Sequence, residues 1–393
     1  MEEAVIVAGV RTPFGAFGGS LAEVPATKLG ALVIAEALKR AGVAGDQVDE
    51  VIMGNVIAAG LGENPARQAS VWGGVGIGTP ATTVNKVCGS GIKTIALASQ
   101  VIRLGEAEVV VAGGFENMSR APYLLTKARF GYRMGDGALE DSLMRDGLVC
   151  AFEECHMGVT AENVAKDFNV SRVAMDEFAA GSQRKTAAAM QSGRFDREIL
   201  AVPVPQRRGD PVMVTTDEHP RADATADRLA KLPTVFMAGG SVTAGNSSGV
   251  NDGAAAVVVM SRRRAEAEGR QPLGVIRAFA SAGVEPRVMG IGPIPATRKV
   301  LERAGLTLKD IDVIELNEAF AAQAIAVGDT LGWDWDRVNV NGGAIALGHP
   351  VGASGARLVL TLLHELQERH LRYGLATMCC GGGMGVAMVV ERL

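Results

Sequence analysis

Two stretches that read as helices are apolar on every side, and this limits the fold more than any other feature of the chain. Across 88–104, Ile92, Ile95, Leu97, Val101, Ile102 and Leu104 cannot share one stripe at helical spacing. Leu358, Val359, Leu360, Leu362, Leu363 and Leu366 cannot either. A helix that is hydrophobic all round is buried all round. One such helix lies in each half of the chain, so the pattern implies a central helical layer between two sheets. The alternative is a single helix-covered sheet with richly apolar helices.

The halves also repeat one another. Leu38-Lys39-Arg40-Ala41-Gly42 precedes Val48-Asp49-Glu50-Val51-Ile52, and Leu301-Glu302-Arg303-Ala304-Gly305 precedes Ile311-Asp312-Val313-Ile314. Gly89-Ser90-Gly91 opens one apolar helix and Gly352-Ala353-Ser354-Gly355 opens the other. Shared order and spacing favour duplication over the general likeness of any two α/β units. Locally the pattern predicts strands at 4–8, 51–57, 109–112 and 254–260, and a helix at 26–41 stopped by Gly42. From about 117 to 249 the pattern breaks into Arg-, Asp-, Met- and Gly-rich sequence with amphipathic helices. A long excursion of this kind inside a compact domain is usually a lid or a binding loop. The domains expected are 1–117 with 250–271, an inserted 118–249, and 272–393.

Composition narrows the function. With 393 residues, 48% hydrophobic and 21% charged, the chain suits an enzyme with much buried surface. Aromatics are only 4% and glycines number 50, so the core must be filled by Ala, Val, Ile and Leu with close backbones. A net charge of -4 gives no electrostatic footprint for nucleic acid or an anionic membrane. The five cysteines, Cys88, Cys150, Cys155, Cys379 and Cys380, are odd in number and irregular in spacing, which argues against a metal site and for a reducing compartment. The start, Met1-Glu2-Glu3, enters a strand with no signal-peptide features, no apolar run reaches membrane-spanning length, and Glu391-Arg392-Leu393 is not a peroxisomal address. A cytoplasmic location is expected.

Four positions invite chemistry. Cys88 sits where a strand meets a helix, and a helix N-terminus favours a thiolate. The bland reading is a small buried hydrophobe. His349, one of five histidines, lies in the turn Gly348-His349-Pro350 and is the natural base for Cys88; otherwise it caps a loop. Cys379 precedes Gly381-Gly382-Gly383, a cluster followed by a strand rather than by a helix, so it is no dinucleotide loop. Its free amides suit an oxyanion. Asn317 ends the strand 313–316, where sites form in open α/β sheets, although Asn is also a good helix cap. The vicinal Cys380 reads as apolar filling.

Together these motifs resemble the thiolase family: C-x-S-G at Cys88, N-E-A-F-A at Asn317, G-H-P-x-G-x-S-G at His349 and C-x-G-G-G at Cys379, with Arg11-Thr12-Pro13 and Gly113-Gly114 near the start. His156-Met157-Gly158 and Val288-Met289-Gly290 resemble the short-chain biosynthetic branch, the acetyl-CoA acetyltransferases. The resemblance implies a duplicated five-layer αβαβα core, a loop domain over coenzyme A and a homotetramer. It implies reversible condensation of two acetyl-CoA to acetoacetyl-CoA and CoA through an acetyl-Cys88 intermediate. His349 would activate Cys88 and Cys379 would take the methyl proton. His349 with an Asn317-held water, and the amides of Cys88 and Gly381, would form two oxyanion holes. Ser248, His156, Arg221 and Ala244 would lie along the CoA path, and Met157, Phe236, Met289, Ala319 and Phe320 around the acyl group. No permanent cofactor or metal is implied. Cys155 and Ser247 depart from the branch, which often has a tyrosine and an alanine there.

Rival readings are a broader-range 3-ketoacyl-CoA thiolase, a decarboxylating ketoacyl synthase, a Cys/His/Asn hydrolase and a non-catalytic CoA or lipid carrier. A synthase would want a second histidine where Asn317 stands, and a hydrolase would leave Cys379 without a role.

Overall fold

The computed structural model describes residues 2–393. From β1 (Ala4–Arg11) the chain runs through α1 (Ala26–Ala41), β2 (Glu50–Gly54), α2 (Pro65–Trp72), β3 (Ala81–Val84) and α3 (Ser90–Leu104) to β4 (Val109–Asn117). A long excursion carrying α4 (Met157–Asp167) and α5 (Arg172–Gln191) precedes β5 (Asn251–Ser261). The series then recurs as β6 (Gly274–Gly283), α6 (Pro293–Ala304), β7 (Val313–Leu316), α7 (Ala321–Leu331), α8 (Val351–Glu368), β8 (Tyr373–Cys380) and β9 (Met384–Glu391).

Strand pairing makes the duplication explicit. β1–β5 and β6–β9 are antiparallel, as are β5–β4 and β9–β8, while β4–β2 and β8–β7 are parallel. β3 pairs parallel beyond β2, and Val338 takes that place beyond β7 through one bridge to Ile314. α1 and α6 both end on a left-handed glycine, Gly42 at φ 63° and Gly305 at φ 67°, a conformation costly for any residue with a Cβ. The halves differ where the excursion joins β4 to β5, since the second half turns there through Gly381, Gly382 and Gly383.

The two sheets expected from the repeat are one hydrogen-bonded sheet of ten strands, ordered β7-β8-β9-β6-β1-β5-β4-β2-β3, with Gly15–Ala16 pairing onto β5. Within that sheet the halves pair at Val5↔Val275 and Ile6↔Gly274. That short seam gives β1 and β6 partners for amides that two separate sheets would leave unpaired.

Helices cover this sheet in layers. α1 and α2 bury Leu29, Val33, Ile34 and Ala69 against the first half, and α6 and α7 bury Ile294, Val300 and Val327 against the second. Between the halves, Ile92 and Ile95 of α3 and Leu358 and Leu362 of α8 share one apolar cluster with Ile52, Val257, Met378 and Val390, drawn from strands of both halves. The layering is helix, sheet, helix, sheet, helix. α8 is buried along its leucines as expected, but α3 is not buried on every side: Leu104 is 71% exposed, and Leu97 and Val101 are half-buried. The excursion leaves the first half yet packs on the second, with Met157, Val164 and Met175 against Ala322 and Ala326 of α7. It therefore roofs the end of the core where the reactive loops emerge. No helix among the described residues is long and apolar enough to cross a membrane.

Candidate active site

Cys88 stands on a strained turn between β3 and α3. Val87 is left-handed at φ 49°, an unfavourable conformation for a β-branched residue. It persists because its surroundings over-determine it: the Val87 amide donates to Asn85 Oδ1 (2.9 Å), and Ser90 Oγ donates to the Val87 carbonyl (2.6 Å) while accepting from the Lys86 amide (2.8 Å). The helix begins at Ser90, not at Cys88. The sequence expectation of a lowered thiol pKa is overturned. Burial pushes the Cys88 thiol up to about 11, only partly offset by the Gly381 amide hydrogen-bonded to the sulfur. No cation is among the groups that shift it.

His349 precedes α8. Its amide donates to Asn251 Oδ1 (2.9 Å), and Gly348 at φ 100° lets that asparagine pack against the turn. The ring Nδ1 lies 2.6 Å from Ser354 Oγ, and that hydroxyl donates to the Pro350 carbonyl (2.9 Å). With its one proton given to Pro350, the hydroxyl accepts from Nδ1–H, which makes Nε2 the unprotonated nitrogen. Asn317 Nδ2 lies 3.4 Å from Nε2. Burial, with the nearby Arg357 charge, lowers the imidazole to about 3, so it is neutral at physiological pH.

Asn317 follows β7, its amide bonded to the Thr377 carbonyl (3.0 Å). It is not a helix cap, because α7 starts at Ala321 with Phe320 in the cap position. The next residue, Glu318, is buried and accepts from Ser182 Oγ (2.7 Å), Asn339 Nδ2 (2.7 Å) and the Ile345 amide (3.3 Å), which fixes the loop. Cys379 lies within β8 rather than in the glycine turn that follows. It is fully buried in the cluster holding Met157, Met289, Ala319 and Phe320. Burial and the neighbouring Cys88 and Cys380 sulfurs push its thiol well up.

These loops enclose a cavity of about 220 Å³. Cys88, His349 and Gly381 open onto it, as do Ser248, His156 and Met157. Phe236, Met289, Ala319 and Phe320 complete the wall expected from the sequence. His156 stacks on Phe236 at 4.6 Å, and Phe236 meets Phe320 edge-on at 6.2 Å. Asn317 and Cys379 sit behind the wall. Two further expected residues lie away from the cavity: Arg221 bonds the Glu218 and Pro220 carbonyls at the surface, and Ala244 is exposed. Of the two departures, Ser247 lines the cavity and bonds the Thr243 carbonyl (2.7 Å), whereas Cys155 lies off it.

Several wall residues escaped the sequence reading: Val87, Met118, Leu148, Val250 and Val351. Apolar residues in loops carry no signal of what they face. Ser354 was missed too, although a hydroxyl five residues after His349, one helical turn in, is the kind of signal that could have found it. The arrangement supplies a thiol, a neutral base and amide donors in an apolar pocket, the parts that acyl transfer requires.

Comparison with known proteins agrees. The chain matches the family description "Thiolase, N-terminal domain" over residues 4–263 and "Thiolase, C-terminal domain" over 270–392. It is 56% identical over 392 residues to an acetyl-CoA acetyltransferase of Cupriavidus necator and 57% identical over 394 residues to one of Escherichia coli, with 100% of each chain covered. The crystal structure of the Bacillus anthracis acetyl-CoA acetyltransferase superposes with a TM-score of 0.98 at 45% identity, covering 100% of this chain and 99% of that one. Matched along nearly its whole length, duplicated core and reactive loops together, this chain belongs to the thiolase family.

Proposed function

We propose that the chain is an acetyl-CoA C-acetyltransferase that condenses two acetyl-CoA to acetoacetyl-CoA and free CoA, reversibly, through an acetyl-Cys88 intermediate. The observation that carries this reading is one cavity onto which the Cys88 thiol and the His349 imidazole open, with the Gly381 amide on the sulfur and Cys379 directly behind. His349 Nε2 takes the Cys88 proton as the sulfur attacks the thioester carbonyl, and returns it to the departing CoA thiolate. The amides of Cys88 and Gly381 hold the oxyanion of this step. Asn317 Oδ1, buried and without a protein partner, is free to orient a water toward the enolate oxygen of the next.

Cys379 passes its own proton to the freed His349 Nε2 and, as the thiolate, removes a methyl proton from the second acetyl-CoA. The carbanion attacks acetyl-Cys88, the C–S bond breaks, His349 returns its proton to the Cys88 sulfur, and Cys379 keeps the methyl proton as its thiol. The Cys88 sulfur is one of the neighbours holding the Cys379 thiol up. Ser248 and His156 bind the pantetheine arm, with Arg221 and Ala244 farther out along CoA. Met157, Met289 and Phe320 restrict the acyl group to short chains. The excursion at 118–249 acts as the CoA-covering domain between core domains 1–117 with 250–271 and 272–393, and the working form is a cytoplasmic homotetramer.

Thiolysis rates across 3-ketoacyl-CoA chain lengths, with mass spectrometry of Cys88 after acetyl-CoA, test the reading. A sharp preference for four carbons and an acetylated Cys88 peptide are expected. Undiminished rates at eight carbons would overturn the short-chain assignment, and an unmodified Cys88 would overturn the intermediate.

A further inference from the structure

We infer that Glu116 and Cys380 are a reciprocal pair of positioning residues: each half of the core uses the tip of its central strand to hold the start of the other half's buried helix, and so keeps Cys88 and His349 in register.

The two positions are equivalent in the duplication. The Asp49 amide bonds the Val109 carbonyl, and the Asp312 amide bonds the Tyr373 carbonyl. Each aspartate carboxylate then accepts from two amides at the start of the neighbouring strand, Glu108 and Val109 in one half and Arg372 and Tyr373 in the other. Val109 thus corresponds to Tyr373. Counting equally from each, Glu116 corresponds to Cys380.

Glu116 is fully buried and surrounded by donors. Its Oε1 accepts from Asn55 Nδ2 (2.8 Å) and the Ile57 amide (3.1 Å), and its Oε2 from the amides of Val56 (3.0 Å) and Gly352 (3.0 Å). Three of these donors belong to the loop after β2 in the first half. The fourth, Gly352, is the second residue of α8 in the other half and lies three residues after His349. A Cβ on Gly352 would lie 2.8 Å from Oε2, so the contact leaves no slack. In the mirrored position the Gly89 amide, at the mouth of α3 and next to Cys88, donates to the Cys380 sulfur, and a Cβ on Gly89 would lie 2.6 Å from that sulfur. Cys380 is therefore more than apolar filling.

Each contact crosses between halves whose strands pair at two positions. Burial raises the Glu116 carboxyl to about 7, and no cation is among the groups that shift it. Four N–H donors, one of them at the mouth of α8, favour its ionised form. Neither residue lines the cavity, so the pair acts on geometry and not on substrate contact.

The inference rests on the reading that Cys88 and His349 act on one another, and the test separates the two. In Glu116→Gln the amide has one acceptor oxygen, so its NH2 group meets two N–H donors. Single-turnover acetylation of Cys88 by acetyl-CoA should slow by about tenfold or more, with KM for acetyl-CoA within about twofold, because misplacement by a fraction of an ångström is costly in a pre-aligned site. Charge alone predicts the reverse. The Glu116 carboxylate disfavours the Cys88 thiolate, so its removal would speed acylation. Cys380→Ala should slow acetylation in the same way, and Cys380→Ser, which keeps an acceptor for Gly89, should recover part of the loss. Acetylation at the native rate, or a loss carried by KM, would overturn the inference. If Glu116→Gln yields no folded protein, the Cys380 variants decide alone. Should Cys88→Ala still form acetoacetyl-CoA, the functional reading itself falls; if Cys88→Ala is inert while the Glu116 and Cys380 variants match the native rate, only the positioning role falls.

Discussion

Burial drives the two partners of the proposed acylation apart, the Cys88 thiol up to about 11 and the His349 imidazole down to about 3. Transfer of the proton before substrate arrives would place two opposite charges in an apolar pocket with no further charge to compensate them. The pair rests neutral, and attack on the thioester draws the proton across. Ser354 makes this possible at a distance, since its hydroxyl fixes which ring nitrogen is free. A consequence is visible without substrate. Alkylation of Cys88 by iodoacetamide should rise about tenfold per pH unit between roughly pH 7 and 9, because below its pKa the thiolate fraction grows in that proportion. A fast rate that is already flat near neutrality would mean a preformed thiolate–imidazolium pair and would contradict the neutral resting site.

At the scale of elements, the site depends on two helices that touch backbone to backbone. A Cβ on Gly355 of α8 would lie 2.5 Å from the Ile92 amide nitrogen of α3, and one on Gly91 of α3 would strike the Ala356 amide nitrogen of α8. These glycines are equivalents in the repeat, and each sits just after a reactive loop. Gly355→Ala should therefore destabilise the protein by about 2 kcal/mol, overpacking outweighing the helix propensity that alanine gains. Gly181→Ala in α5 is the control, since a Cβ there meets only Arg184 Nη2 at 3.8 Å. It should be neutral or stabilising by about 0.5–1 kcal/mol. Equal urea midpoints for the two variants would remove the close crossing as a constraint. The same helices show what local sequence can and cannot convey. α1 and β7 lie where the pattern predicted them, because Gly42 marks the end of one and Asn317 that of the other. β1, β4 and β5 run past their predicted ends, because Arg11, Glu116, Asn117 and Asp252 are polar yet buried. Their hydrogen-bond partners come from distant segments that a local window does not contain.

At the scale of the whole molecule, the duplication and the central helical layer were legible because each is written in residue types: a repeated helix-stop-strand sequence and helices with no polar face. The seam between Val5 and Val275, the seating of the excursion on α7, and the aliphatic cavity wall were not, since each depends on packing between residues far apart in the chain. The proposed tetramer stands between these cases. The resemblance supplied it, and the surface offers a physical reason. The arm between Tyr123 and Asp141, closed by pairing of Tyr123–Leu124 with Glu140–Asp141, exposes Phe130 at 89% and Met134 at 97%, with Leu125 and Leu139 also exposed. Large apolar side chains gathered on one projecting arm are what contact with further copies would cover. Light scattering of the native protein should give the mass of four chains. Phe130→Ser with Met134→Ser should give a smaller assembly that still acetylates Cys88, since neither residue lines the cavity. A native monomer at micromolar concentration, or a double variant that remains tetrameric, would show that this arm does not hold the assembly together.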